Sequence, residues 1–276
     1  MAADRRESEF SRSEYRRQVA WTDRLRREGP FILSTIEECP RRGLVVDLGC
    51  GTGEHARFIA ESGFPVVGID ASRDAMTDAA AAHCGGKAAW ARADMRHLPL
   101  AGSTARSVLC LGNTIVVLGE DEAILMALRE IHRLLVPGGQ VLIQMLNYSR
   151  LRAKNVRSLP VNFRRAGDLV STASPAQEDL RPDEELVYLR LMDFDAPKHV
   201  SFHVITLERR SGEDHVNVRD AVRRRLRSLE HADVEKLLGA AGFTAIRLFG
   251  DYSRSPFHPL ESQDVIALAR RASQDR

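Results

Sequence analysis

The stretch VVDLGCGTGE at residues 45–54 decides the fold. An apolar run leads into Asp47, and glycines follow at alternate positions, 49, 51 and 53. A helical pattern begins at once, over residues 54–62. Glycine permits a tight turn and lets a ligand approach the backbone where a Cβ atom would block it. The stretch therefore predicts a buried strand, a ligand-binding turn and the N-terminus of a helix, whose free N–H groups add partial positive charge.

Strand and helix patterns alternate on the C-terminal side of this loop, and helical segments of about 10 residues between short apolar runs are typical of a parallel sheet covered on both faces. The expected fold is α/β: a doubly wound, seven-stranded, mostly parallel sheet. Predicted strands of this sheet cover residues 44–46, 65–69, 88–93, 107–111, 140–146, 243–249 and 265–269, and predicted helices cover 54–62, 72–82, 121–135 and 230–241.

Two segments differ from this pattern. Residues 5–28 are rich in Arg and Glu with apolar residues on one side, which predicts an amphipathic helix ended by Gly29 and Pro30, and a second short helix follows over 31–39. Residues 186–192, 199–209 and 216–226 alternate like strands and predict an antiparallel β insertion. The expected organisation is an N-terminal helical lid (1–40), a ligand-binding domain (41–147 and 228–276) and an insertion (148–227).

Composition excludes several classes of protein. The chain has 276 residues, is 43% hydrophobic and carries a net charge of only +2, which is too small to mark a nucleic-acid binder. No apolar run approaches the ~18 residues that a membrane span needs. Cys39, Cys50, Cys84 and Cys110 lack zinc-site spacing, so we expect no metal site and a reducing, cytoplasmic location.

The spacing of the loop indicates its ligand. Dinucleotide enzymes favour G-x-G-x-x-G, with the pyrophosphate at the helix N-terminus. Here the spacing is G-x-G-x-G, and Asp47 lies two residues before the first glycine. A carboxylate there would repel a pyrophosphate but suits a cation such as S-adenosylmethionine, which carries an ammonium and a sulfonium group. A dinucleotide and a purely structural turn are the alternatives.

Further carboxylates follow the next two predicted strands. Asp70 ends the second strand, where an ionised carboxylate can accept hydrogen bonds from both ribose hydroxyls. Asp94 follows the third strand and can accept a hydrogen bond from an adenine amino group, while Met95 or Met76 packs on the ring. The carboxyl ends of parallel strands share one edge of the sheet, where open α/β sheets bind ligands. These acids therefore strengthen the prediction of an adenosine-containing cofactor.

With these residues in place, the sequence resembles class I S-adenosylmethionine-dependent methyltransferases. The resemblance rests on VVDLGCGTGEHA at 45–56, VVGIDAS at 66–72, ADM at 93–95, LLVPGGQVLI at 134–143 and AAGFTAIRLFGDYSRSPF at 240–257. Residues 110–114, CLGNT, resemble the corresponding stretch of glycine and sarcosine N-methyltransferases and related small-molecule enzymes. The resemblance implies an enzyme of the methyltransferase class, EC 2.1.1, that converts S-adenosylmethionine to S-adenosylhomocysteine.

The resemblance also implies roles by position. Gly49 and Gly51 would line the methionine part of the cofactor, and the backbone of Leu111 would face its amino acid moiety. Arg24, in an N-terminal segment that folds over the site, would pair with the cofactor carboxylate. The full set of expected cofactor-binding residues is Arg24, Asp47, Gly49, Cys50, Gly51, Asp70, Ala71, Met76, Asp94, Met95 and Leu111.

The methyl acceptor is less well indicated. Asn113 follows the fourth strand and is the expected acceptor-side catalytic residue, since its amide could orient an amine or a carboxylate. The subgroup usually has a His four residues after this Asn, but here Val117 stands at that position. Further candidates with weaker support are Asn147, Tyr148, Arg190, Arg225 and the pair His199 and His203, for which a structural role is the favoured interpretation.

The expected function is methyl transfer to a small molecule, at nitrogen, by in-line displacement. No nucleic-acid or membrane partner is expected, and the sequence leaves a homo-oligomer open. The alternatives are methylation of RNA or protein, a nicotinamide-dependent oxidoreductase, and a non-catalytic protein that binds S-adenosylmethionine.

Overall fold

A computed structural model describes residues 19–81, 86–165 and 183–273 of the chain, which form two sheets and six α-helices. The strands are β1 (Leu44–Leu48), β2 (Val66–Asp70), β3 (Ala88–Arg92), β4 (Ala105–Cys110), β5 (Leu135–Leu146), β6 (Asn162–Arg165), β7 (Glu184–Ala196), β8 (His199–Arg210), β9 (Asn217–Arg227), β10 (Phe243–Phe249) and β11 (Asp264–Arg271). The helices are α1 (Trp21–Glu37), α2 (Glu54–Glu61), α3 (Arg73–Ala81), α4 (Asp121–Leu134), α5 (Tyr148–Ala153) and α6 (His231–Ala240).

The larger sheet has seven strands in the order β10-β11-β5-β4-β1-β2-β3, and only β11 runs against its neighbours. The predicted doubly wound, mostly parallel sheet is confirmed. From β1 the chain builds outward through β2 and β3 on one side, then crosses to β4 and β5 on the other. The carboxyl ends of β1 and β4 therefore flank a topological switch point, where open α/β sheets form a ligand-binding crevice.

Both faces of this sheet are covered by helices. Val45 packs into a cluster with Phe31 and Ile32 of α1 and Ile59 of α2, whereas the next residue, Val46, packs into the main core on the opposite face. Successive side chains of a strand point to opposite faces, so the continuous apolar run of β1 is what a doubly covered parallel strand requires.

The prediction that Gly29 and Pro30 end the first helix is wrong, because α1 runs through both residues from Trp21 to Glu37. Gly29 instead lets the helix approach α2: a Cβ atom there would lie 2.5 Å from Cζ of Phe58. Burial of Phe31 and Ile36 against the sheet holds the helix together across the proline. Tertiary contacts here outweigh the local preference of Pro to stop a helix. The part of the predicted helix before residue 19 lies outside the described residues.

The second sheet is antiparallel, in the order β6-β7-β8-β9, and is formed by the predicted insertion. Its three long strands were predicted, but the short strand β6 and the helix α5 were not. α5 has only six residues and is capped by Asn147, whose side chain accepts a hydrogen bond from the N–H of Arg150. Such a short helix gives almost no periodic signal, since its single turn shows no repeat of apolar residues.

A buried guanidinium joins the two sheets. Arg227, at the end of β9, is 2% exposed and pairs with Asp121 of α4 at 2.7 Å and with Asp233 of α6 at 3.1 Å. Met192 and Leu226 of the second sheet belong to the same apolar cluster as the core of the first. The second sheet is therefore fixed against the first by both charge and apolar contact.

In the described part of the chain, no helix is both long and apolar enough to span a bilayer.

Replacement of Pro30 tests how α1 is stabilised. Pro30 is exposed and lacks an N–H group, so Pro30→Ala restores a helical hydrogen bond without removing buried contacts. We expect the free energy of unfolding in urea to rise by about 1–3 kcal/mol. Glu37→Ala, at the exposed end of the same helix, is the control and should change it by less than ~0.5 kcal/mol. A loss of stability in Pro30→Ala would contradict this account of the helix.

Candidate functional site

The glycine loop after β1 takes a conformation that L side chains rarely adopt. Gly49 and Gly51 have φ angles of 66° and 56°. A Cβ atom at Gly49 would lie 2.2 Å from Cγ2 of Thr114, whereas a Cβ atom at Gly51 would meet nothing within 4 Å. Gly49 thus permits close contact with the loop after β4, and Gly51 leaves its backbone open to a ligand.

Asp70 ties this loop to the end of β2. One carboxylate oxygen accepts the N–H of Gly51 at 3.0 Å, and the other accepts the N–H of Ser72 at 2.9 Å. The side chain is thereby fixed at the rim of the sheet. Each carboxylate oxygen has a second lone pair, so the fixed group can still accept bonds from two neighbouring hydroxyls.

Asp47 is a buried carboxylate with an unsatisfied oxygen. It is 2% exposed, and its Oδ2 atom has no hydrogen-bond partner among the described residues. Burial raises the pKa of Asp47 to about 6, with a further increase from the neighbouring charge of Asp70. A buried anion without a partner favours a cationic ligand. This is the electrostatic environment expected at the loop for an ammonium or sulfonium group rather than a phosphate.

The first turns of α1 cover the loop. The Trp21 ring lies edge-on to His55, and the Arg24 guanidinium lies 5.0 Å from the centre of the Trp21 ring. Glu28 joins Arg24 and His55, since its carboxylate accepts from Nε of Arg24 at 2.9 Å and lies 3.0 Å from Nε2 of His55. Burial alone would raise the pKa of Glu28, but the His55 hydrogen bond and the Arg24 charge together lower it. The segment predicted as a lid is thus bound to the loop through a charged network.

A cavity of about 270 Å³ lies between this helix and the loops after β1 to β4. Nine of the predicted cofactor-binding residues line it: Arg24, Gly49, Cys50, Gly51, Asp70, Ala71, Asp94, Met95 and Leu111. Asp47 and Met76 do not line it. Met76 is buried in a small cluster with Ala75 and Ala79, against Trp90.

The sequence reasoning missed several residues of this cavity wall, among them His55, Thr114, Val117, Leu118 and Arg224. His55 could have been found, because it follows the glycine loop directly. Arg224 could not, since it comes from the antiparallel sheet and its approach depends on how the two sheets pack together.

Asp94 is held by a local ion pair. Its Oδ2 atom lies 2.6 Å from Nη2 of Arg96, and its Oδ1 atom accepts the N–H of Arg96. The Arg96 hydrogen bond lowers the pKa of Asp94 below its usual value. The carboxylate is therefore charged at neutral pH and fixed at the rim, where it can accept a bond from an amino group.

A second cavity of about 590 Å³ adjoins the first, and Arg24, Gly112, Val117 and Arg224 line both. Its roof is the antiparallel sheet and its side is α1. Its floor is the edge of the large sheet, where the polar residues Asn113, Gln144, Gln263 and Asp264 are found. The two cavities together form one crevice with two compartments.

Asn113 lines the second cavity, but its amide is already engaged. Its Nδ2 atom donates to the Tyr148 hydroxyl at 2.8 Å, and its Oδ1 atom accepts the N–H of Leu146 at 3.2 Å. Its φ angle is 66°, in the left-handed region that Asn tolerates. Burial raises the pKa of Tyr148 far above its usual range. Asn113 and Tyr148 therefore fix the turn after β4 as neutral hydrogen-bonding partners.

The remaining candidates lie outside both compartments, apart from Arg190, which lines the second. Asn147 donates to the carbonyls of Pro259 and Ser262 and caps α5. His199 lies 3.0 Å from the Gly119 carbonyl and accepts from Arg225, while His203 pairs with Asp193. Across residues 19–81, 86–165 and 183–273, no three His, Cys, Asp or Glu side chains are grouped to hold a metal ion.

Comparison with known proteins matches residues 45–139 to the family described as a methyltransferase domain. This segment contains the glycine loop, Asp70 and Asp94. The chain is 31% identical over 139 residues to the glycine/sarcosine N-methyltransferase of Parasynechococcus marenigrum (strain WH8102), with 49% of each chain covered. It is 32% identical over 136 residues to the cypemycin N-terminal methyltransferase of a Streptomyces species, covering 49% of this chain and 50% of that one. The chain thus spans about half the length of the curated relatives it matches.

Solved structures resemble this chain over a larger share of its length. The CcbJ methyltransferase from Streptomyces caelestis superposes with a TM-score of 0.67 at 21% identity, covering 89% of this chain and 90% of that one. The amino pentose methyltransferase CalS10 from Micromonospora echinaspora, solved with S-adenosylmethionine bound, has a TM-score of 0.67 at 17% identity, covering 96% and 97%. These likenesses show that the fold, including the second sheet, is that of S-adenosylmethionine-dependent methyltransferases.

The first compartment fits that cofactor on its own residues. The open backbone at Gly51 admits the methionine end, and the doubly anchored Asp70 suits a ribose. Asp47 does not line the compartment, but its buried carboxylate has an unsatisfied oxygen and adds negative charge behind the glycine loop, which suits a cationic group.

Asp47 makes cofactor affinity depend on pH. With a pKa of about 6, its carboxyl is neutral in much of the ligand-free protein at pH 5 and charged at pH 7. A bound cation favours the charged form, so the Kd for S-adenosylmethionine should rise about tenfold from pH 7 to pH 5. Calorimetry across this range measures it, and Asp47→Asn should bind more weakly with a flatter profile.

The same substitution has an opposite effect on stability. The pKa of Asp47 in the folded protein lies above its usual value of 3.8. Ionisation of this group therefore lowers the free energy of unfolding as the pH rises from about 4 to 6. Without ligand at pH 7.5, the free energy of unfolding of Asp47→Asn should therefore be about 1–3 kcal/mol higher than that of wild type. A variant that is both less stable and unchanged in affinity would contradict the assignment.

Asp70→Ala should weaken binding of S-adenosylhomocysteine by about 1–3 kcal/mol, because it removes charge-assisted hydrogen bonds to the cofactor and the anchor of the glycine loop. Asp74→Ala, an exposed acid on α3, is the matched control and should bind within twofold of wild type. Equal affinities of the two variants would remove Asp70 from the site.

Proposed function

We propose that this protein transfers the methyl group of S-adenosylmethionine to a small-molecule acceptor, at nitrogen, by in-line displacement. The observation that carries the proposal is the meeting of the two compartments at Arg24, Gly112, Val117 and Arg224. Displacement at a methyl carbon needs donor and acceptor on opposite sides of that carbon, in line. Two adjoining compartments that share these four lining residues supply this arrangement.

Different residues of the first compartment bind different parts of the cofactor. Asp70 accepts bonds from the ribose, Asp94 accepts from the adenine amino group and Met95 packs against the ring. Arg24 pairs with the cofactor carboxylate, and Asp47 balances its positive charge. When bound, S-adenosylmethionine supplies an electrophilic methyl group whose leaving group is a neutral thioether. No acid is needed to assist that departure, so this chain contributes mainly alignment and exclusion of water.

A small acceptor is supported by the walls and the volume of the second compartment. The antiparallel sheet roofs it, with Phe202, Val204 and Val222 in the wall, and α1 closes one side. A volume of about 590 Å³ falls within the range of sites that bind small molecules. An RNA or protein substrate would instead need an open surface next to the methyl group.

A nitrogen acceptor is supported by the chemistry of the compartment and by the relatives. Asp264 places a carboxylate in the floor of the compartment, where it can accept a hydrogen bond from the N–H group of an amine. The relatives from Parasynechococcus marenigrum and Streptomyces are named as N-methyltransferases.

Two measurements test the proposal. Calorimetry should show micromolar binding of S-adenosylhomocysteine and none of NADH, and Arg24→Ala should weaken the former about tenfold through loss of a charge-assisted bond. Methyl transfer is then assayed with matched amine and hydroxyl compounds: glycine and glycolate, ethanolamine and ethylene glycol, glucosamine and glucose. Transfer to amines only is the expected result. Binding of NADH, or binding of S-adenosylhomocysteine with transfer to hydroxyls alone, would contradict it.

A further inference from the structure

The floor of the acceptor compartment contains a hydrogen-bonded chain that begins where the two compartments meet. The N–H of Gly112 donates to Oε1 of Gln144 at 2.7 Å, and Nε2 of Gln144 donates to Oδ1 of Asp264 at 3.0 Å. Gly112 lines both compartments, whereas Gln144 and Asp264 line only the acceptor side. The chain therefore leads from the junction into the acceptor compartment.

The direction of this chain is fixed by its first bond. A backbone N–H can only donate, so the oxygen of the Gln144 amide must face Gly112 and its nitrogen must face Asp264. Gln144 lies on β5 and Asp264 begins β11, and the antiparallel register places Asp264 opposite Leu146, two residues from Gln144. One end of the amide is thus held by the loop after β4 and the other by β11, which fixes the position of the carboxylate.

The Asp264 carboxylate is held from one side only. Among the described residues, its one recorded hydrogen bond is that from Gln144 to Oδ1. The residue is partly buried and lines the compartment, so Oδ2 is available to a ligand there. A second oxygen available for binding, on a side chain fixed through the first, is the arrangement expected of a positioned acceptor of a proton or an N–H bond.

Resting on the function proposed above, we propose that Asp264, aligned by Gln144, binds the amine of the methyl acceptor and takes up its proton before methyl transfer. An ammonium ion has no lone pair, so R–NH3⁺ must first give one proton to the carboxylate. The nitrogen lone pair of R–NH2 then forms the N–CH3 bond as the S–CH3 bond breaks. The sulfonium becomes a neutral thioether, and the product is R–NH2⁺–CH3. Asp264 then releases to solvent the proton that it took up, which restores its carboxylate.

The surroundings of Asp264 suit this role. Burial raises the pKa of Asp264 above its usual value, which makes the carboxylate a better base, while the Gln144 hydrogen bond limits the increase. Charged and polar groups from several elements surround the Asp264 carboxylate. α1 contributes Glu28, Arg24 and Arg27, and Gln144 of β5 and the buried, unbonded hydroxyl of Tyr252 lie nearby. Across the compartment, the antiparallel sheet contributes Arg164, Arg190 and Arg224. The nearby arginines also disfavour an ammonium ion, which favours release of its proton.

Asp264→Asn tests the proposal, with Asp214→Asn as a matched control in the exposed turn between β8 and β9. Binding of each amine and hydroxyl pair to the complex with S-adenosylhomocysteine is measured by saturation-transfer NMR. Wild type and Asp214→Asn should favour the amines, and Asp264→Asn should lose at least tenfold in amine affinity. Its Kd for S-adenosylhomocysteine should stay within twofold, which shows that the fold and cofactor site are intact. Its kcat for the amine should fall by at least a hundredfold.

Gln144→Met separates positioning from a structural role. It keeps Asp264 in the chain but removes the hydrogen bond that aligns its carboxylate and lowers its pKa. The acidic limb of the kcat profile should therefore move to higher pH, whereas a purely structural defect would lower kcat at all pH values equally.

Three results would overturn the proposal: equal binding of amines and hydroxyls by wild type, an unchanged kcat in Asp264→Asn, or an acidic limb in Gln144→Met at the wild-type pH. Failure of wild type to bind S-adenosylhomocysteine is a different result, since it would overturn the cofactor assignment itself.

Discussion

The switch point between β1 and β4 is the constraint on which the rest of the site depends. Because the chain continues to opposite sides of β1, the loops after β1 and β4 diverge and leave a crevice between them. Gly49 then allows the two loops to touch at their base, through Thr114, while Gly51 keeps the upper part open. A side chain at Gly49 would collide with Thr114 and push the two loops apart, whereas a side chain at Gly51 would project into the open space that a ligand needs.

Several carboxylates lie in or beside the crevice, and not all of their oxygens have hydrogen-bond partners in the ligand-free protein. Asp47 has an unsatisfied oxygen, whereas Asp70 and Glu28 are held by hydrogen bonds from Gly51, Ser72, Arg24 and His55. A buried anion without a partner destabilises the fold, and the same anion stabilises a bound cation. Affinity for a positively charged donor and a reduced stability of the empty protein therefore have one physical origin.

The sequence predicted the parts of the structure whose signals are local. Glycine spacing and the acids at the ends of β1, β2 and β3 predicted a sheet now confirmed and a set of residues that largely line one cavity. Pro30 misled because burial of Phe31 and Ile36 offsets its local cost, and β6 and α5 were missed because four and six residues carry little periodicity. Asp264 has no local motif, since its link to Gln144 joins residues 120 positions apart.

The different walls of the two compartments explain why one chain needs both a lid and a second sheet. α1 contributes Arg24 to both compartments, and β9 contributes Arg224 to both. These side chains come from elements on opposite sides of the crevice, so the boundary between donor and acceptor forms only when α1 and the antiparallel sheet are both docked. Arg227 anchors that sheet at the end of the same strand, three residues from Arg224, through Asp121 and Asp233. The buried ion pairs of Arg227 thus act at the junction of the compartments, since they fix the strand that carries one side of it.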